Sequence, residues 1–324
     1  LGHKGSFVLF NINKHIVVVD FQGFEYPHCN CLLVKDDVYC LLDNSPGKAD
    51  LEYLRRQPID IILNSHGHID HYLCNEWFPR SQVYMHQADQ ALTQSAEKYL
   101  AEFGLTTFTQ NPVLQQLYLT DVKYRCAKID QGISEGQIID LGATRLQVLH
   151  LPGHSPGHCG FLFPDQGFIF TADIDVSNFG PWYANLNSSV LDYIKSIDRV
   201  IEMKPDFIIS GHGQAMIKDG LLQKLADYRD IIYARQERII ELLYRGYHSL
   251  PDLARQCPVY IKFPRPREVF FIYEEVMILA HLRFMEELGQ LIKEGDHYFL
   301  KDGVRPAKSY SLAAAKPMEE RKKG

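Results

Sequence analysis

Short apolar runs alternate with helical periodicities over the first two thirds of the chain. Segments 7–12, 16–20, 31–35, 38–42, 59–63 and 83–85, and later 138–141, 145–151, 160–163, 168–171 and 207–209, are rich in Val, Ile, Leu and Phe. Each is bounded by Gly, Pro, Asn, Asp or Ser, the punctuation of β-strands. Apolar residues at helical spacing predict helices over 49–57, 72–77, 87–103 and 190–203. Strands mixed with helices require a layered α/β architecture. Residues 104–136 read as an irregular insertion, long enough to act as a functional lid. The texture changes after Asp219. Leu221, Leu222, Leu225, Ile231, Ile232, Ile239, Ile240, Leu242 and Leu243 recur at helical spacing, and Gly246 supplies a stop. A short helix to Gln256 with Pro251 in its first turn follows, then a strongly periodic helix over 268–292. Gly295 and Asp296 lead into a strand-like 297–300. The expected division is a catalytic unit over 1–218, a helical unit over 219–306 and a flexible tail over 307–324.

Composition changes this picture little. A chain of 324 residues can bury a substantial core, and its net charge of −6 does not advertise a polyanionic partner. Residues 220–324 carry 18 Lys+Arg against 15 Asp+Glu, whereas residues 1–219 carry 16 against 25. Arg321, Lys322, Lys323 and other tail positions supply most of that excess, so a nucleic-acid partner is not favoured. The seven cysteines, odd in number and irregularly spaced, argue for a reducing cytoplasm rather than a disulfide framework. The chain begins at Leu1, which suggests a trimmed or processed form. No segment reads as a signal peptide, and no apolar run approaches the roughly 20 residues of a membrane span. A soluble cytoplasmic protein without a membrane partner is the expectation.

The chemistry is concentrated in the stretch Ser65-His66-Gly67-His68-Ile69-Asp70-His71, directly past the strand at 59–63. Three imidazoles and a carboxylate in six positions are the donor types that Zn²⁺ prefers. Three more segments end a buried strand in a candidate ligand: His154 after 146–151, Asp173 after 167–171 and His212 after 206–209. Side chains at neighbouring strand ends converge on one edge of a sheet. Seven candidates exceed what one tetrahedral ion uses, so two ions are expected. His66, His68 and His154 would hold one, Asp70, His71 and His212 the other, and Asp173 would bridge them. A shared water would then become hydroxide near neutral pH and act as nucleophile. Asp70 is the expected catalytic side chain, accepting hydrogen bonds from that hydroxide.

These motifs, with Pro-Gly-His-Ser-Pro-Gly-His at 152–158, Thr-Ala-Asp at 171–173 and Ser-Gly-His-Gly at 210–213, resemble the metallo-β-lactamase-fold hydrolases, in the glyoxalase II-like branch. The resemblance covers about residues 5 to 218. It implies a four-layer αββα sandwich, two Zn²⁺ with iron or manganese as alternatives, and hydrolysis of a small-molecule ester, thioester or lactone. The metal roles assigned above agree with what it implies. The terminal three helices and hairpin resemble a winged-helix module, an element that serves packing or homodimerisation. Two rival activities follow from the same resemblance: a metal-dependent endoribonuclease or phosphodiesterase, and an iron-dependent persulfide dioxygenase-like enzyme. His158, by the resemblance, is not a ligand but supports one. The aromatic loop 177–183 begins four residues past Asp173, and Asn178, Trp182 and Tyr183 are its candidate substrate-binding residues. The basic residues that would hold the carboxylates of glutathione cannot be placed.

Overall fold

A computed structural model describes residues 8–307. The seven strands of the first sheet are β1 (Val8–Asn11), β2 (Ile16–Asp20), β3 (Cys31–Lys35), β4 (Tyr39–Leu42), β5 (Ile61–Leu63), β6 (Gln82–His86) and β7 (Gln131–Ile133), in that spatial order. The pairings from β1 to β4 are antiparallel and those from β4 to β7 parallel. The second sheet holds β8 (Ile138–Asp140), β9 (Arg145–His150), β10 (Cys159–Phe163), β11 (Phe168–Ala172), β12 (Phe207–Ser210) and β13 (Met216–Ile217), in the order β13-β12-β11-β10-β9-β8.

Strands β2 and β3 are apolar on both faces because each sheet is covered twice. Ile16, Val18, Leu32 and Val34 face Phe161, Phe163, Phe168 and Phe170 of the second sheet. Their alternating neighbours Val17, Val19, Cys31 and Leu33 join the cluster that includes the helices. The helices of this part are α1 (Lys48–Leu54), α2 (Ile69–Tyr72), α3 (Gln90–Gln94), α4 (Ala96–Glu102), α5 (Pro112–Asp121) and α6 (Val190–Met203). The four-layer αββα sandwich expected above is therefore the architecture observed.

Past residue 218 the chain forms α7 (Leu221–Tyr244), α8 (Leu250–Arg255), α9 (Arg267–Glu287) and a hairpin of β14 (Leu291–Glu294) and β15 (His297–Leu300). Leu225, Ile232, Ile239 and Leu243 of α7 lie on one buried face, as their spacing dictates. They share an apolar cluster with Tyr193 and Ile197 of α6 and Val276 and Met277 of α9, so the core is continuous from sandwich to terminal helices. Among the described residues no helix is long and apolar enough to cross a membrane.

Four expectations need correction. The single helix over 87–103 is two, because Ser95 takes an extended conformation and its side chain accepts from Lys98 N to cap α4. The insertion 104–136 is not irregular: it contains α5, capped by Asn111 with Pro112 in its first turn, and strand β7. The helix expected over 72–77 is replaced by α2, which starts earlier, and a 3₁₀ turn over Asn75–Trp77. The last helix ends at Glu287, where Gly289 adopts φ 68°, and Leu291 and Ile292 belong to the hairpin. Residues 308–324 of the expected tail lie outside the described residues.

Candidate metal centre

Strands β9, β11 and β12 run in one direction, so their carboxyl ends meet at one edge of the second sheet, and β5 delivers its ligands from the first. That edge collects every candidate ligand. His154 Nε2 lies 3.2 Å from His66 Nε2, 2.9 Å from His68 Nδ1 and 3.2 Å from Asp173 Oδ2. His71 Nε2 lies 3.2 Å from His212 Nε2, 3.8 Å from Asp70 Oδ2 and 3.0 Å from Asp173 Oδ1. His212 Nε2 is 3.4 Å from Asp70 Oδ2. Asp173 thus offers one oxygen to each group. Four-coordinate zinc with bonds of about 2.0 to 2.1 Å sets neighbouring donors about 3.3 Å apart, and the separations here, 2.9 to 3.8 Å, bracket that value.

In a neutral imidazole, an outward ring nitrogen that donates elsewhere leaves the inward one with its lone pair. His71 Nδ1 donates to Asp43 Oδ2 at 2.8 Å, and His66 Nδ1 donates to Ser65 Oγ at 2.9 Å. The Ser65 hydroxyl in turn donates to Asp43 Oδ2 at 2.8 Å. His154 Nδ1 donates to the Trp182 carbonyl at 2.7 Å. His68 is reversed: its Nδ1 faces the cluster, and its Nε2 meets the Asn185 side-chain amide, 2.9 Å from Nδ2 and 3.2 Å from Oδ1. These tautomers follow from the hydrogen-bond network. Bare nitrogen lone pairs about 3 Å apart repel unless a cation lies between them, so the residues fit divalent ions.

Electrostatics divide the cluster. Burial, then the charges of His71 and His68, hold His66 well below the ordinary histidine value. Burial likewise holds His154 well below it, against the pull of Asp173. Burial acts on His71 in the same sense, but Asp173, Asp43 and Asp70 together outweigh it and raise this imidazole well above the ordinary value. Burial would raise Asp173, yet His71, His212 and His154 outweigh it and keep the carboxyl well below the usual range. Both carboxylates are anionic when the cluster is assembled, Asp70 also lying below its ordinary value.

Local backbone aims the ligands. A register shift between Phe170 and Ala172, with Ala172 at φ 44°, turns Asp173 out of β11 toward the cluster. Tyr193 of α6 and Tyr228 of α7 both donate to the Asp173 carbonyl, at 2.6 and 3.2 Å. His158 Nε2 accepts from Asp173 N at 3.2 Å, while its Nδ1 donates to the Leu151 carbonyl. His158 therefore takes the supporting place expected of it. Asp89 ties the two ligand loops together, accepting from Gly67 N at 2.9 Å, Ser155 Oγ at 2.6 Å and Gly157 N at 2.7 Å. Gly153 sits at φ 129°, and a Cβ there would lie 2.3 Å from the Tyr193 backbone.

The three candidate substrate residues are dispersed. Trp182 borders the cluster, its ring 5.6 Å from His68 and 5.7 Å from His154. Asn178 is exposed on the loop. Tyr183 turns the other way: it is fully buried, and its hydroxyl pairs with His281 Nε2 at 2.8 Å and Arg235 Nη1 at 3.2 Å. Its expected contact with substrate is replaced by packing against α7 and α9. Sequence reasoning missed Asp43, Asp89, Asn185 and Arg235. Asp43 stands directly past β4, the strand-end position that revealed the ligands, and was within reach of the same rule.

Residues 29–212 match the profile described as Metallo-beta-lactamase superfamily, and the chain belongs to that family. Hydroxyacylglutathione hydrolase GloC of Haemophilus influenzae is 28% identical over 169 residues, 49% of this chain and 71% of that protein. The probable metallo-hydrolase YqjP of Bacillus subtilis is 24% identical over 286 residues, 78% of this chain and 86% of that one. The crystal structure of the metallo-beta-lactamase family protein TTHA1429 from Thermus thermophilus superposes with a TM-score of 0.66 at 19% identity, covering 90% of this chain and 100% of that chain. That likeness extends the shared fold beyond the sandwich. The chain is a metal-dependent hydrolase by family, with hydrolase-named relatives.

Proposed function

We propose that the chain is a two-metal hydrolase of an ester, thioester or lactone, with His66, His68 and His154 on one zinc, Asp70, His71 and His212 on the other, and Asp173 between them. The observation that carries this reading is the convergence of five imidazole nitrogens, those of His66, His68, His71, His154 and His212, with both oxygens of Asp173, while the other ring nitrogens of His66, His68, His71 and His154 are engaged elsewhere. Nitrogen and oxygen donors without thiolate suit zinc, with iron or manganese as the other ions such a set accepts. Bound ions would polarise the scissile carbonyl and lower the pKa of a water to near neutrality. Asp70, with one oxygen 3.4 Å from His212 Nε2, would accept a hydrogen bond from that water and orient it. The Trp182 carbonyl holds His154 in the tautomer that leaves its lone pair inward, and the Asn185 amide fixes the orientation of the His68 ring.

The test couples metal content to turnover. His68→Ala and Asp173→Ala should each lower the bound metal and the hydrolysis of 4-nitrophenyl acetate together, and metal analysis of fresh protein identifies the ion. Full turnover by chelator-stripped protein sinks the proposal.

A further inference from the structure

The groups around the metal centre are aromatic, and they come from separated parts of the chain. Phe103, just past α4, and Trp182 pack on His68, with ring centroids 5.2 and 5.6 Å away. Tyr273 of α9 meets Trp182 edge-on at 5.4 Å, and its hydroxyl donates to that of Tyr118 of α5 at 2.8 Å. Tyr99 of α4 packs on Phe103 at 4.6 Å. Tyr26, 44% exposed, reaches the same group through a side-chain hydrogen bond with Tyr99. The insertion and the last helix thus meet over one side of the metal centre.

What these walls offer is ring faces and phenol hydroxyls. The arginines that approach from the terminal helices are spent on backbone carbonyls: Arg235 on Pro181 and Phe179, Arg238 on Pro258 and Arg283 on Leu186. A thiol carrier bearing two carboxylates, or a polyphosphate strand, needs cationic partners to offset its desolvation. Trp182 stands nearly perpendicular to His68 at 5.6 Å and to Tyr273 at 5.4 Å, the geometry by which aromatic groups recognise one another.

Resting on the hydrolase reading, we propose that the site takes an uncharged ester, thioester or lactone carrying an aromatic group, seated against Phe103, Trp182, Tyr118 and Tyr273. The two hydroxyls of Tyr118 and Tyr273 share one hydrogen bond, which leaves acceptor capacity and a proton for a polar substituent on that group. The named relative that acts on a glutathione conjugate matches only 49% of this chain.

Binding to the metal-loaded full chain, measured by calorimetry with unreactive probes, tests this. Phenylacetamide should bind, S-methylglutathione and a short single-stranded RNA should bind at least tenfold more weakly, and Tyr273→Ala should weaken phenylacetamide tenfold or more. Tyr273→Phe, which keeps the ring, should lose only a few fold. No measurable phenylacetamide binding, tighter binding of either charged probe, or an unchanged affinity in Tyr273→Ala overturns the proposal. Turnover separates the two layers. Metal-dependent hydrolysis that prefers a glutathione thioester over phenyl acetate defeats this substrate class alone, whereas hydrolysis independent of metal defeats the hydrolase reading beneath it.

Discussion

Arg235 joins the terminal helices to the metal centre, and replacing it by Met tests that connection. The side chain is 1% exposed on α7. Its guanidinium donates to the Pro181 carbonyl, to the Phe179 carbonyl at 2.6 Å and to the Tyr183 hydroxyl at 3.2 Å, and lies 4.5 Å from the Phe179 ring. Trp182 lies between those anchor points, and its own carbonyl orients His154. Methionine would fill much of the volume but leave two buried carbonyls unpaired, each at a cost of about 1 to 3 kcal/mol. Removing the burial of a cation offsets part of that, leaving a net loss of about 3 kcal/mol in unfolding free energy. The slackened loop should also lower metal affinity by about 10 to 100-fold, the usual effect of losing a group that orients a ligand. Urea unfolding of metal-free protein measures the first effect. Competition for zinc against a chromophoric chelator measures the second. Arg235→Lys, which keeps the charge but not the fork, should fall between. Unchanged zinc affinity in Arg235→Met would show that His154 does not depend on this loop and refute the reasoning.

The other expectations are more local. Gly153→Ala should destabilise by about 4 kcal/mol or fail to fold, since its Cβ would meet the Tyr193 backbone and its φ suits glycine; thermal melts against wild type show this. Asp89→Asn replaces an acceptor of three hydrogen bonds by a group that also donates, and should lower stability by about 2 kcal/mol and weaken zinc binding, read by unfolding and chelator competition. Glu274 is fully buried, and burial pushes its carboxyl from 4.5 up to about 7 against the hydrogen bonds from Val259 N and Tyr260 N. Because the folded state holds this proton more tightly than the unfolded chain, its contribution is full below pH 4.5 and is lost as pH rises through about 7. That loss amounts to about 3 kcal/mol, and Glu274→Gln should flatten the stability profile over the same interval in pH-dependent denaturation.

What the chain reveals before folding depends on how local the cause is. The ligands were legible because each follows a short apolar strand, a relation spanning a few residues, and the apolar stripe of α6 defined that helix to the residue, with Ser189 capping it in the structure. α5 was hidden because Val113 and Leu117 face outward while Tyr118 is buried, so its apolar residues do not form one inward stripe. Its cap, Asn111 before Pro112, was the available signal. Tyr183 could not be oriented from its neighbours, since what turns it from the pocket is Arg235 and His281, 52 and 98 positions away. The aromatic wall was unreadable for the same reason: Tyr118 and Tyr273 are 155 positions apart.

Asp173 is gripped at its amide by His158, at its carbonyl by Tyr193 and Tyr228, and at each carboxylate oxygen by a different set of imidazoles. A residue with so little slack works as a ruler. In the proposed two-ion site, an ion that demands longer bonds would be mismatched in both halves simultaneously, so the backbone around one aspartate, more than the affinity of any single donor, would govern which cations fit.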